Sequence, residues 1–141
     1  MIATAGTEDA GLLQARTWLP RAHAIVRLSF KADRGATALD TLHQAGAGRA
    51  RFPNPLEGGS ASQAQAILLN MAGGLTGGDR FDIDLGLAAG ARATVTTAAA
   101  EKIYRSLHGD PAHMRLEAQL GGDSTLLWLP QPTILFDRAV L

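Results

Sequence analysis

The chain has 141 residues, 46% of them hydrophobic, which is enough for one domain with a buried core and too apolar for a disordered chain. Its 13 basic and 13 acidic residues balance, so there is no excess positive charge of the kind that nucleic-acid or anionic-membrane partners require. The absence of cysteine excludes disulfides and thiolate metal ligands. Without a signal-like start or a long apolar run, we expect a cytoplasmic protein with no nucleic-acid or membrane partner.

The amino-terminal part divides into a tail and the start of a domain. Residues 1–21 are weakly patterned and predict a loosely ordered tail, followed by one domain over residues 22–141. Apolar and more polar residues alternate over residues 24–30, with Ala24, Val26, Leu28 and Phe30 on one face, which predicts a strand. The sequence Asp-Arg-Gly at residues 33–35 predicts a turn.

The next segments are more ambiguous. Residues 37–44 are compatible with either a strand or a helical turn. Glycine and proline make residues 46–62 mostly loop, with a short strand near Arg51. A buried strand is predicted over residues 66–70, and a glycine-rich loop over residues 72–79.

The remainder of the chain contains the clearest strand patterns. Alternation over residues 80–87 predicts a strand with Phe81, Ile83, Leu85 and Leu87 facing inward. Residues 91–97 have small side chains on both faces, and residues 114–120 alternate as a half-buried strand. Two further strands, at residues 125–129 and 133–136, are separated by prolines that remove backbone donors.

This spacing of strands predicts an all-β fold with few or no helices. Residues 98–107 are the one segment whose composition also permits a helix, because three alanines occur together there. The neighbouring threonines and valine favour extended chain instead, so both interpretations stay open for this segment.

The glycine-rich loop allows two interpretations. Glycine-rich loops can bind phosphate through backbone N–H groups, but this loop lacks the Lys and Ser/Thr of a P-loop and leads into a strand. The alternative is a structural loop in which glycine permits positive φ or close backbone approach. We favour a structural glycine loop, made of Gly73, Gly74, Gly77, Gly78 and Asp79.

A metal-dependent enzyme is the alternative function to be weighed. His108, Asp110 and His113 form a weak candidate metal site, since imidazole and carboxylate suit divalent nickel. Histidines in a turn are more often simply solvated. No serine lies in a nucleophile-elbow sequence, so we assign no catalytic residue and predict no enzyme activity.

Residues 101–106 are the best candidate for contact with another protein. They place charges of both signs around an aromatic ring, and Tyr and Arg are enriched at interface hot spots. The alternative is that Ile103 and Tyr104 join the core, as Trp128 is expected to do. The partner-binding candidates are Glu101, Lys102, Tyr104 and Arg105.

Three blocks of the sequence resemble the urease accessory protein family UreD, also called UreH. They are the strand–glycine-loop–strand block at residues 66–81, the block at residues 94–106 and the block at residues 127–138. Their order and spacing match the family, and weaker similarity extends back to about Ala24.

The resemblance implies layered β-sheets, either β-helix-like or a sandwich, incomplete relative to the full family fold. It also implies a non-catalytic chaperone that docks with UreF, UreG and apo-urease and supports GTP-dependent insertion of nickel into the urease active site. The GTPase activity belongs to UreG. No tightly bound cofactor is expected, and nickel would be bound only transiently, with an internal passage as one route.

Two departures from the family pattern qualify the resemblance. Family members are roughly twice as long, so we expect a fragment or a truncated gene product, and a non-functional truncated fragment is a further alternative. Ala100 and Pro132 stand where the nearest relatives often carry Cys and Glu. Both changes remove potential metal-binding groups, so no nickel ligand is assigned residue by residue.

Overall fold

The computed structural model describes residues 20–53 and 62–141. The predicted tail at residues 1–21 therefore lies almost entirely outside the described residues, as does the central part of the predicted loop at residues 46–62. The alternation of apolar and polar side chains in the described residues produces strands throughout.

Ten β-strands and no α-helix occur in the described residues, which confirms the all-β prediction. This part of the chain accordingly holds no helix that is long and apolar enough to cross a membrane. The strands are β1 His23–Asp33, β2 Ala36–Ala45, β3 Gly48–Arg51, β4 Ala64–Asn70, β5 Arg80–Leu87, β6 Arg92–Thr97, β7 Glu101–Ile103, β8 His113–Leu120, β9 Thr125–Leu129 and β10 Thr133–Leu135.

The strands form three sheets. The first sheet has the order β2-β1-β5-β8, the second has the order β3-β4-β6-β9, and the third pairs β10 with β7. Strands β1, β5 and β8 run parallel, as do β4, β6 and β9, while β2 and β3 are antiparallel additions at the sheet edges.

The chain visits these sheets in a repeating order, which builds stacked coils. Strands β5, β6 and β7 form a middle coil, and β8, β9 and β10 form a last coil that pairs with it strand by strand. A first coil consists of β1, β4 and Leu75, which bridges in parallel to Ile103. Of the two architectures expected, the described residues therefore adopt the β-helix-like one.

The core fills the space between the sheets. The inward row of β1 (Ala24, Val26, Leu28 and Phe30) is fully buried, as predicted. The inward row of β5 is buried equally well, and the small side chains of the second sheet allow the layers to approach closely. The largest fully buried side chains are Phe30, Phe81, Leu68, Leu75, Ile83, Ile103, Val26 and Val95.

Three local predictions are resolved by this layering. The turn at residues 33–35 is present, with positive φ at Arg34 and Gly35. Residues 37–44 lie within β2, so the helical alternative there is wrong. The helical alternative for residues 98–107 is also wrong, because β7 pairs in parallel with β10 and extended chain gives its backbone a partner.

The predicted half-burial of residues 114–120 is wrong. All eight residues of β8 are exposed, including the inward-facing Met114 at 36%, Leu116 at 42% and Leu120 at 54%. The reason is topological, because β8 is the outermost strand of the first sheet and no further coil covers it among the described residues. Trp128, expected in the core, is partly buried and packs against it.

Candidate functional site

The three sequence blocks meet at one corner of the molecule, which we call the layered corner. It consists of the glycine loop at residues 71–79, the segment at residues 101–106 and the segment at residues 133–139. The parallel bridge of Leu75 to Ile103 joins the first two, and the pairing of β7 with β10 joins the second and third. Residues far apart in the sequence therefore form one continuous surface.

Backbone hydrogen bonds fix the glycine loop against β7. Leu75 donates its N–H to the carbonyl oxygen of Lys102 at 2.8 Å, and Tyr104 donates back to the carbonyl oxygen of Leu75 at 2.7 Å. The hydroxyl group of Thr76 donates to the carbonyl oxygen of Arg105 at 2.8 Å. This reciprocal pairing holds the backbone of residues 102–105 in one conformation.

Two glycines make this close approach possible. A Cβ atom at Gly74 would lie 2.5 Å from Cε2 of Tyr104 and 2.7 Å from the carbonyl oxygen of Lys102. A Cβ atom at Gly77 would overlap the carbonyl oxygen of Asp110 and the hydroxyl group of Ser106. The layered corner thus requires residues without a side chain at these positions.

Asp79 ties the glycine loop to neighbouring coils and is only 7% exposed. Its carboxylate accepts hydrogen bonds from the backbone N–H of Ala22 at 2.8 Å and of Thr76 at 2.9 Å. Its own carbonyl oxygen accepts the N–H of His113, at the start of β8, at 2.9 Å. Buried polar groups of this kind are costly unless they are paired, so Asp79 has a structural role in the described loop.

The structural role of the glycine loop stays a prediction, and the hydrogen bonds of the loop favour it over phosphate binding. Three of its amide donors already have protein acceptors, since Leu75 donates to Lys102, Thr76 to Asp79 and Gly78 to Pro111. Donors that are already paired inside the protein cannot also be preorganised for an anion.

Three of the four partner-binding candidates present polar or aromatic groups on the surface. Tyr104 is 41% exposed and stacks on Phe136, with the ring centroids 5.1 Å apart and the planes at 28°. Its hydroxyl group donates to the carbonyl oxygen of Gly73 at 3.3 Å, and Lys102 and Arg105 beside it are exposed. The alternative interpretation placed both Ile103 and Tyr104 in the core. It is correct for Ile103, which is buried, and wrong for Tyr104, which is exposed.

Glu101 differs from the other three candidates because it is half-buried. It lines a cleft of about 230 Å³ with Asn70 and Gly74. Burial raises the pKa of the Glu101 carboxyl group above its ordinary value, although hydrogen bonds from the Asn70 side chain and the Lys102 backbone act in the opposite direction. The Asn70 amide donates to Oε1 at 2.9 Å. The contacts of the Glu101 side chain therefore point inward, toward the glycine loop.

The weak metal candidates are not assembled into a ligand set. His108 and His113 are exposed and Asp110 is half-buried. Within residues 20–53 and 62–141, no group of three or more His, Cys, Asp or Glu side chains could hold a metal ion.

Two residues that support the layered corner were not selected from the sequence. Asn70 anchors Glu101, and Phe136 supports the Tyr104 ring. Asn70 lies in the block at residues 66–81 and Phe136 in the block at residues 127–138. The spacing of those blocks was therefore the signal in the sequence that pointed to these two residues. Their roles depend on pairing across coils, which a single sequence does not show.

A comparison with known proteins identifies the family of the chain. A family model described as UreD urease accessory protein matches residues 22–141, and the chain therefore belongs to this family of urease accessory proteins. The matched region contains every strand of the described structure.

Individual relatives carry the same description. The chain is 48% identical over 119 residues to a urease accessory protein UreD of Rhodopseudomonas palustris strain HaA2, which covers 84% of this chain and 41% of the relative. It is 45% identical over 119 residues to a urease accessory protein UreD of Bradyrhizobium diazoefficiens, with the same coverage of 84% and 41%. The chain thus spans about two fifths of the length of these relatives.

Proposed function

We propose that this protein is a non-catalytic scaffold for urease maturation, acting in the cytoplasm. In this proposal it docks with UreF and UreG on apo-urease and supports the GTP-dependent insertion of nickel, with the GTPase activity located in UreG. Membership of the urease accessory protein family supports the general role. The layered corner, with Tyr104 exposed on a fixed backbone, is the observation that carries the docking part of the proposal.

A fixed backbone favours binding because less conformational entropy is lost when the complex forms. Residues 102–105 are already held by hydrogen bonds to the glycine loop, and the Tyr104 ring is already oriented by Phe136. Tyr and Arg are the residue types that most often dominate binding energy. The proposed docking surface therefore consists of Lys102, Tyr104 and Arg105. Glu101 is half-buried beside this surface and is held by the hydrogen bond from Asn70.

Nickel enters this proposal as cargo and not as a resident cofactor. We assign no nickel ligand, because the candidate residues His108, Asp110 and His113 form no ligand group in the described structure. The proposed contribution of this chain to nickel insertion is to hold the partner proteins in place.

A pull-down with UreF and apo-urease tests the docking surface. We expect Tyr104→Ala and Arg105→Ala each to weaken retention about tenfold or more, the effect of losing a hot-spot side chain. Lys31→Ala is the matched control, since Lys31 is an exposed cation on β1. Circular dichroism should show cooperative unfolding of every variant, which separates a lost contact from a lost fold. Unchanged retention of both docking-surface variants would count against the proposal.

A further inference from the structure

A depression of about 280 Å³ lies on the outward face of the first sheet, outside the layered corner. Its floor is β5 at Gly86, and its walls come from β1 and β2 on one side and from β8 on the other. These strands are neighbours within the sheet, so the depression does not depend on the outer edge of β8. We propose that it receives an acidic loop of a partner protein in urease maturation, an inference that rests on the proposed scaffold function.

The floor of the depression is open because residue 86 is glycine. Gly86 lies inside β5 without a positive φ, and a Cβ atom there would come no closer than 3.4 Å to another atom, the Cβ of Ser29. An alanine would therefore fit, so the fold does not require glycine here as it does at Gly74 and Gly77. Glycine inside a strand is typical of a site that a ligand or another backbone approaches closely.

The residues beside Gly86 are polar and uncharged. Ser29 on β1 and Gln119 on β8 are its register partners, and Thr41 on β2 pairs with Ser29. Their hydroxyl and amide groups can both donate to and accept from a polypeptide backbone. A second depression, of about 370 Å³, shares Gly86 and Gln119 with the first. We call the two depressions together the Gly86 groove, which is longer than a single small ion needs and suits a loop.

Arg27 lies in the wall of the Gly86 groove and has a guanidinium group that is only partly used inside the chain. Its Nε donates to Oδ2 of Asp84 at 2.8 Å, while its two terminal nitrogens have no partner among residues 20–53 and 62–141. A guanidinium group that is already oriented binds a carboxylate through two parallel hydrogen bonds. Asp84 does not oppose this contact, because its other oxygen is paired with Arg115 at 2.7 Å.

The opposite wall of the groove favours a polypeptide over a free anion. Glu117 on β8 is paired through Oε2 with Arg115 at 2.6 Å, but its Oε1 receives only a long contact of 3.5 Å from Gln119. A free anion would meet this carboxylate unfavourably. A loop can instead place its own carboxylate at Arg27 and its backbone N–H groups at Glu117, which is two strands away across the sheet, about 10 Å.

A pull-down with UreF and apo-urease tests the Gly86 groove. Gly86→Ile should raise the apparent dissociation constant for at least one of these partners by about tenfold or more, because the new side chain fills the floor of the groove. Gln65→Ile is the matched control, since Gln65 is an exposed strand residue on the outward face of the second sheet. The control should leave retention unchanged, and thermal unfolding should remain cooperative in both variants, because isoleucine suits strands.

A second pair of variants tests the carboxylate contact. Arg27→Lys keeps the positive charge but loses the planar guanidinium group, so it should raise the same dissociation constant by about fivefold or more. Arg92→Lys is the matched control, since Arg92 is an exposed arginine on β6 of the second sheet. If the Gly86→Ile chain does not fold, the Arg27→Lys result decides whether the groove is the contact.

The outcomes distinguish failure of this inference from failure of the proposed function. An unsubstituted chain that retains neither partner would overturn both. An unsubstituted chain that is retained, with Gly86→Ile and Arg27→Lys chains that bind equally well, would overturn the groove and leave the scaffold function standing. A loss with Gly86→Ile but not with Arg27→Lys would overturn the carboxylate contact, and the occupant would then not be an acidic loop.

Discussion

The middle and last coils share a pattern of side chains but differ in burial. Leu87 on β5 and Leu120 on β8 are register partners on the same inward row. Leu87 is 4% exposed and Leu120 is 54% exposed. Alternation along a strand therefore identifies which face is turned inward, whereas burial depends on whether another strand lies on each side.

The difference follows from position in the stack. Strand β5 lies between β1 and β8, and β6 lies between β4 and β9, so the middle coil is covered from both directions. The strands of the last coil each have a single neighbour in the described structure. The glycine loop and β7 of the layered corner belong to the covered part, since they lie in adjacent layers, whereas its segment at residues 133–139 contains β10 of the last coil.

The largest expected effect compares the two leucines directly. Leu87→Ala should lower the free energy of unfolding by about 2–5 kcal/mol, because it leaves a cavity in a packed core. Leu120→Ala, the same substitution on the neighbouring strand, should cost less than about 1 kcal/mol, since its side chain is already largely hydrated. Urea denaturation followed by circular dichroism measures both values. Equal losses would show that the last coil is as well packed as the middle one.

A smaller effect distinguishes two glycines of the loop, one packed against other residues and one facing open space. Gly74→Ala should destabilise the chain by roughly 2–3 kcal/mol, because the new methyl group meets Tyr104 and the Lys102 carbonyl oxygen. Gly73→Ala should cost about 1 kcal/mol, since φ is also positive there but no atom lies within 4 Å of the new Cβ. Thermal unfolding compares the two, and similar melting temperatures would argue against tight layering at this corner.

The smallest effect concerns charges on the outer face of the middle coil. Burial alone would raise the pKa of Asp82, but the hydrogen bond that His23 Nε2 donates at 2.7 Å and the nearby cations of Arg80 and Arg115 hold this pKa below its ordinary value. Stability from a lowered carboxyl pKa is present above the unfolded-state pKa and is lost as pH falls through the folded-state pKa.

Asp82→Asn should therefore reduce the free energy of unfolding near neutral pH by up to about 1 kcal/mol, the range for partly screened pairs. The difference in the free energy of unfolding between the variant and the unsubstituted chain should disappear as pH falls below about 4. Asp137→Asn is the control, because that carboxylate is 86% exposed. Urea titrations across this pH range measure the gap, and a difference that persists in acid would assign the effect to packing instead.

The segments that make up the candidate site could be predicted from the sequence, but their contact with one another could not. The glycine loop and residues 101–106 stood out from the sequence as separate segments, and their contact across adjacent coils was not evident from it. The supporting roles of Asn70 and Phe136 depend on distant partners, Glu101 and Tyr104, in neighbouring coils. A single sequence contains no information on which segments are stacked, so these pairings could not be inferred.

The sequence by itself determined the all-β class and the inward face of each clear strand, because side chains alternate with period two in extended chain. Tertiary structure alone decided the stacked coils, the strand at β7 and the exposure of β8. These depend on which strands become neighbours, and backbone hydrogen bonding between distant segments is not encoded in local alternation. The same amphipathic pattern is therefore core in the middle coil and surface in the last.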